Sequence, residues 1–392
     1  MAGGQEMRRL LAAVGLFIGL TCIAVGQEPR PGSAKAALPE PTRQSFAPES
    51  STPDNGLNTK AELEQGNQFF RSANYVRAIE SYRRVIALDP SFFQAHYNLG
   101  IAYVDARQYR QALKTFEKAL ALKPNAPAVL RYLGLIHHEQ QEFELAAGYF
   151  SKWILLEPNS VEALTGRGAA QSRLGKYAEA ENNFRKALAI DSNSYEAVIG
   201  LCLSLSASGQ DEPAREVCTK STQLKPDAVL GHYILGQTYL NLRQYQNSLA
   251  SLTRAEELSP RDGFIQNTLG LTYFNFENYE KAVDKFQLAI HLTPGLAEAH
   301  TGLGSSYLKL KRYREAADTF RHAIDLEPAS TIAHMNLAVT CLEMNQRDCA
   351  LEQYGALQRL DPLLAEQLSK RLFRNRVIAA PVSQPRGESK QP

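Results

Sequence analysis

At 392 residues, 44% of them apolar and 21% charged, the chain can bury a core over most of its length and is long enough for two or three ordinary domains. A formal net charge of only +2 excludes a global electrostatic pull toward nucleic acid. The charge is unevenly placed, because residues 363–392 carry Lys370, Arg371, Arg374, Arg376, Arg386 and Lys390 against only Glu366 and Glu388.

The first element is a targeting segment. Met7-Arg8-Arg9 supplies positive charge, and an apolar run from Leu10 to Val25 follows, broken only by Gly15, Gly19 and Thr21. Ala24 and Gly26 then place small residues at −3 and −1 before Gln27. That order reads as a secretory signal peptide over residues 1–26, cleaved after Gly26. The run is shorter than the roughly 20 residues of a spanning helix. An uncleaved membrane anchor, a lipid anchor at Cys22 and a buried N-terminal helix stand as alternatives. Residues 27–58 scatter Pro29, Pro31, Pro39, Pro41, Pro48 and Pro53 among small and polar side chains. Such a stretch buries too little apolar surface to offset its ordering entropy, so it reads as a disordered Pro-rich linker. Residues 377–392 read as a disordered tail for the same reason.

Between these segments the sequence repeats. Pro90, Pro124, Pro158, Pro226, Pro260, Pro294, Pro328 and Pro362 fall on one 34-residue grid, with Ser192 at the missing node. Gly66, Gly100, Gly134, Gly168, Gly236, Gly270 and Gly304 occupy a second column. Ala78, Ala112, Ala146, Ala180, Ala214, Ala282, Ala316 and Ala350 form a third, followed four residues later by Tyr82, Phe116, Phe150, Phe184, Phe286, Phe320 and Tyr354. Ala119, Ala187, Ala255, Ala289 and Ala323 come three residues after that aromatic column. Small, aromatic and small at i, i+4 and i+7 make one stripe of an amphipathic helix. The Leu-Gly pair, with an aromatic three residues on, makes a stripe on the helix before it. Small residues on both helices allow close approach, and the aromatic fills the remaining gap. Proline then ends the second helix, which it can neither hydrogen-bond nor fit, with Asp89, Glu157, Asp191, Glu327 or Asp361 beside it to order the turn. Residues 363–376 read as a capping helix, apolar along Leu364, Leu368 and Leu372 or Phe373 and basic on the other side. Repeat 5 should be the least regular. Cys202 stands for its Gly, Leu205 and Cys218 for its aromatics, and Ser221 for its Ala. Pro213 falls in the first turn of the second helix, after Asp211 as N-cap, so the helix should be unbroken.

This pattern resembles the tetratricopeptide-repeat (TPR) family, over nine consecutive repeats spanning residues 59–362. The resemblance implies an all-α, right-handed superhelical solenoid of helix-turn-helix repeats that binds a protein or peptide. It also implies that positions 5, 6, 9, 12 and 13 of each first helix face a groove. Those positions offer Tyr97, Asn98 and Ile101 in repeat 2, Arg131, Tyr132 and Leu135 in repeat 3, Tyr233 and Gln237 in repeat 6, Asn267 and Leu271 in repeat 7, and Asn336 in repeat 9. No repeat pairs Lys at position 5 with Asn at position 9, which departs from the receptors of chaperone tails. The groove is instead aromatic, apolar and amide-bearing, suited to an extended or helical peptide.

No phosphate loop, paired-Cys metal motif or nucleophile elbow occurs. His96, His232, His300 and His334 share the fourth repeat position on separate helices and read as packing residues, as does Trp153. The expectation is a non-enzyme without cofactor, metal, small-molecule substrate or nucleic-acid partner. Membrane contact is expected only through an uncleaved N-terminus or the basic C-terminal helix. The favoured function is an adaptor of the periplasmic or extracellular space, in assembly of an envelope or secretion complex. The alternative is a substrate-recognition subunit for an enzyme on another chain, such as a glycosyltransferase. Cleavage of the signal peptide leaves Cys202, Cys218, Cys341 and Cys349. An even count in an exported chain suggests disulfides. Cys202 and Cys218 lie at matching heights on either side of the turn, as Cys341 and Cys349 nearly do, so these are the candidate pairs; buried free thiols are the alternative.

Overall fold

The computed structural model describes residues 53–373. The expected signal peptide, most of the expected linker and the expected C-terminal tail lie outside them. The described residues form nineteen α-helices and no strand, and they divide into two units, one ending at Lys225 and the other beginning at Pro226.

The first unit holds five helix pairs: α1 (Pro53–Arg71) with α2 (Tyr75–Leu88), α3 (Phe93–Asp105) with α4 (Tyr109–Leu122), α5 (Pro127–Glu139) with α6 (Phe143–Leu156), α7 (Val161–Arg173) with α8 (Tyr177–Ile190), and α9 (Tyr195–Ala207) with α10 (Asp211–Leu224). The second unit holds four pairs and a last helix: α11 (Val229–Asn241) with α12 (Tyr245–Leu258), α13 (Gly263–Asn275) with α14 (Tyr279–Leu292), α15 (Ala297–Lys309) with α16 (Tyr313–Leu326), α17 (Thr331–Glu343) with α18 (Arg347–Leu360), then α19 (Pro362–Leu372). We call the members of each pair helix A and helix B. Within each unit every helix packs on the next in sequence. Most consecutive A helices also touch each other, whereas no two consecutive B helices do so to a comparable extent. The A helices therefore form the closer-packed side of each stack.

Close approach of A and B rests on the glycine–aromatic node read from the repeat. A Cβ built on Gly100 would come within 2.5 Å of the Phe116 ring, and one on Gly304 within 2.8 Å of Phe320. Phe116, Phe150, Phe184, Phe286 and Phe320 are all essentially free of solvent. In the first unit Tyr82, Leu99, Phe116 and Tyr132 share one apolar cluster, with a second around Phe150 and Trp153. In the second unit one cluster runs from Ala282 to Leu372. It takes in Leu368 and Leu372 of α19, while Glu366, Lys370 and Arg371 are exposed, so α19 covers the apolar end of its stack.

Every A–B turn has the same backbone. The residue at position 15 of each repeat adopts a positive φ between 56° and 76°, and only Gly175 and Gly209 among the nine are glycine. The turns close as paired Schellman bonds. In repeat 2, Gln108 N–H donates to the Tyr103 carbonyl at 2.7 Å and Arg107 N–H to Val104 at 2.9 Å. The B–A turns are equally uniform. The residue before each proline is extended, as Asp89 is at φ −139° and ψ 95°, because a following proline disfavours the helical region. Asp191 takes the same conformation before Ser192, so the node does not require proline.

Three boundaries differ from those expected. Helix α1 already runs from Pro53, inside the expected linker of 27–58, because proline is tolerated in the first turn, where the missing N–H has no helical partner. Pro362 opens α19 rather than closing repeat 9. Asp361 caps it, accepting from the N–H groups of Leu363 and Leu364 at 3.0 and 3.1 Å. In α10 the helix is unbroken through Pro213, as the spacing requires, but its N-cap is Gln210. Asp211 is the first helical residue, since Ala214 N–H already donates to the Gln210 carbonyl at 2.9 Å.

Candidate partner-binding face

The residues expected to line a groove divide by burial. Asn98, Ile101, Tyr132 and Tyr233 are buried among the repeats themselves and offer a partner little surface. Their positions hold neighbouring repeats together. Tyr132 stacks on Phe116 of the preceding repeat at 5.2 Å and meets Tyr97 edge-on at 6.0 Å. Burial pushes the Tyr132 and Tyr97 phenols above their ordinary pKa, with the Arg131 charge opposing the rise in both. Asn98 donates to Asn67 of repeat 1 at 2.9 Å and accepts from Gln94 at 2.7 Å, while Tyr82 donates to the same Asn67 oxygen at 2.9 Å. Tyr233 accepts from Gln237 at 2.8 Å and lies 3.3 Å from the Thr268 hydroxyl of the next repeat.

The remaining expected residues keep accessible surface. Tyr97, Arg131 and Leu135 lie in the first unit, and Gln237, Asn267, Leu271 and Asn336 in the second. Arg131 is engaged with a neighbour, its Nε 2.5 Å from Glu162 Oε1 of repeat 4. Asn336 donates to the Ser305 hydroxyl of repeat 8 at 3.3 Å. The Asn267 side-chain oxygen is buried and, among the described residues, has no hydrogen-bond partner. The accessible A-helix side chains are thus aromatic, apolar and cationic in the first unit, and amide-bearing with an apolar Leu271 in the second, where the amides have the chemistry to receive backbone and side-chain amides of a peptide.

The four position-4 histidines have a role that residue types alone did not disclose. His96, His232, His300 and His334 each place Nε2 within 2.9–3.2 Å of the carbonyl of the proline six residues earlier. A carbonyl can only accept, so Nε2 carries the proton, and the imidazole ties the B–A turn to helix A. The signal was present in the sequence as a His at a fixed offset from proline. Among the described residues no group of three or more His, Cys, Asp or Glu side chains is placed to hold a metal ion.

The structure pairs the cysteines as the spacing suggests. Cys202 and Cys218 are bonded with Cα atoms 5.1 Å apart, and Cys341 and Cys349 with Cα atoms 6.0 Å apart, both within the reach of a disulfide. The Cys202–Cys218 bond occupies the node where other repeats pack glycine on an aromatic ring.

Four family models match the chain. Models described as Tetratricopeptide repeat match residues 97–160 and 233–297, 161–194, and 297–330, and one described as TPR repeat matches 66–106. Among solved structures, the APC/C hetero-tetramer Cut9-Hcn1 is similar at 18% identity and TM-score 0.54, covering 80% of this chain and 76% of that one. A tetratricopeptide repeat protein from Parabacteroides merdae is similar at 18% identity and TM-score 0.52, covering 64% of this chain and 99% of that one. These likenesses show the fold. A comparison with curated protein sequences finds no match.

Proposed function

This chain belongs to the tetratricopeptide-repeat family, whose fold is a protein–protein interaction scaffold, and on that premise we propose that its A-helix faces bind a protein or peptide segment outside the cytoplasm. The observation that carries the binding mode is the accessible set Tyr97, Leu135, Gln237, Asn267, Leu271 and Asn336 on the A helices. Their apolar and amide side chains suit an extended or helical segment held by packing and hydrogen bonds rather than by ion pairs. The two bonded cysteine pairs support an oxidising compartment, where such bonds persist. The basic, apolar and small-residue order of residues 7–26 supports export. An adaptor in assembly of an envelope or secretion complex is the reading that unites these features.

A photo-crosslinking residue placed at Leu135, Gln237 or Leu271 tests the face directly in the native host. Protein crosslinks should form there and be absent when the same group replaces Glu216 on helix B. Equal yields on both faces would overturn the assignment. Mass spectrometry of the mature N-terminus tests the compartment: Gln27 is expected, and an intact Met1 refutes export by cleavage.

A further inference from the structure

The near-neutral net charge conceals one strongly cationic surface. Helix α2 carries Arg77, Arg83 and Arg84 against Glu80, and α4 carries Arg110, Lys114 and Lys118 against Glu117. Each of the other seven B helices has as many acidic residues as basic ones, or one more. Among the B helices the excess is therefore confined to those of the first two repeats, within one unit.

The pairing differs between the two helices. Arg84 is matched by Glu62 at 3.0 Å, and Arg83 donates to the Tyr103 hydroxyl at 2.7 Å. Arg110, Lys114 and Lys118 are exposed, and among the described residues none of them is within salt-bridge distance of an acidic group. They recur at i, i+4 and i+8, which aligns them on one face of α4. Leu122 extends that row one turn further and is 42% exposed. On α2, Val76 and Leu88 are exposed at 69% and 42% at the two ends of the corresponding face. On α4 three cations without acidic partners run in one row that ends on an exposed leucine, whereas the corresponding row of α2 is charge-balanced by Glu80 and by the Arg84–Glu62 pair; the α4 row has the pattern of a surface that rests on lipid headgroups.

We infer that the B-helix face of repeat 2, centred on Arg110, Lys114 and Lys118, docks on an anionic phospholipid bilayer. Charge complementarity selects the occupant. Two of the three central groups are lysines, which act as mobile point charges and lack the planar fork that reads one fixed carboxylate. Leu122, exposed at the end of the same row, would meet the acyl boundary. This face is turned away from the A helices of the same unit, so membrane docking leaves their accessible side chains open.

The test is co-sedimentation of the mature chain, from Gln27 onward, with vesicles of phosphatidylglycerol and phosphatidylcholine, alongside vesicles of phosphatidylcholine alone. The wild type should bind the anionic vesicles, and binding should weaken steeply with salt. The variant R110E/K114E/K118E should bind them roughly 100-fold more weakly, from the usual contribution of each basic residue at an anionic surface. R110Q/K114Q/K118Q should lose most of the same affinity, with an unchanged helical circular-dichroism spectrum in both variants. Binding to phosphatidylcholine alone should be weak and equal in all three. Wild-type affinity for anionic vesicles in the triple variants overturns the inference. So does loss of binding only on K370E/R371E, or binding of poly-glutamate without binding of vesicles.

Discussion

The disulfide at the repeat-5 node should be exchangeable for the glycine–aromatic pair it replaces. Cys202 and Cys218 are fully buried and separated by 16 residues, so their bond should contribute about 3 kcal/mol by restricting the unfolded chain. In C202G alone the bond is lost, a void opens, and a helix-interior glycine costs about a further 1 kcal/mol. In C218F alone the bond is lost and the new ring meets the Cβ and Sγ of Cys202. The geometry at Gly100, where a Cβ would approach the Phe116 ring to 2.5 Å, shows how little room there is. Overpacking of that kind adds about 1–3 kcal/mol. In C202G/C218F both faults disappear together. The ring fills the space over the glycine and recovers about 1.5–3 kcal/mol of burial, leaving a net loss of about 2 kcal/mol against the oxidised wild type. The double variant should therefore be more stable than either single one, a favourable coupling typical of residues that share a cavity. Because a repeat stack does not unfold in one step, the assay is hydrogen exchange of α9 and α10 amides with and without a dithiol reductant. Reductant should speed exchange roughly 100-fold in the wild type and leave the double variant unchanged. An unaltered wild type under full reduction, or C218F as well protected as the double variant, would refute the reasoning.

Two further perturbations test the turns and a buried base. Gly175→Ala and Gly209→Ala should each cost about 1 kcal/mol in the local opening free energy read by hydrogen exchange of the flanking helices, wholly through the backbone, since among the described residues nothing lies within 4 Å of a Cβ built at either site; Arg107→Gly, at φ 56°, should be neutral or stabilising. Burial of His138, aided by the Arg173 charge, lowers its pKa to about 4, below the ordinary 6.5 of an unfolded chain. The stability it contributes is thus fully present above about pH 6.5 and lost as pH falls toward 4, amounting to about 3 kcal/mol. An NMR titration should find its ring neutral at about pH 5, a midpoint near the ordinary value would refute the burial argument, and His138→Phe should remove that part of the acid sensitivity.

What could be read in the residues is what spacing alone encodes. Gly100 against Phe116 and Gly304 against Phe320 are fixed by a 34-residue period, since the small residue and the ring must recur together for two helices to approach. The A–B turn was not legible, because its left-handed residue is Ala73, Arg107, Gln141, Arg243, Glu277, Lys311 or Asn345 in seven of nine repeats. There the conformation is imposed by the paired bonds that end helix A, which outweigh the roughly 1–2 kcal/mol that a side chain costs at positive φ. The burial of the side chains proposed to bind was not legible by position. Positions 5 and 6 hold Tyr97, Tyr132 and Tyr233, yet Tyr132 turns onto Phe116 and Tyr233 toward Thr268, leaving Tyr97 as the half-exposed one. The partner each ring takes in the adjoining repeat is a property of pairs, which a single column of residues does not contain. The same holds for charge. Arg110, Lys114 and Lys118 disappear into a net +2 when the chain is summed, and emerge only when each helix B is taken as a separate surface with its acidic partners counted by distance. In a repeat protein the fold is carried by what the repeats share, so the specific surfaces must be sought where one repeat departs from the others.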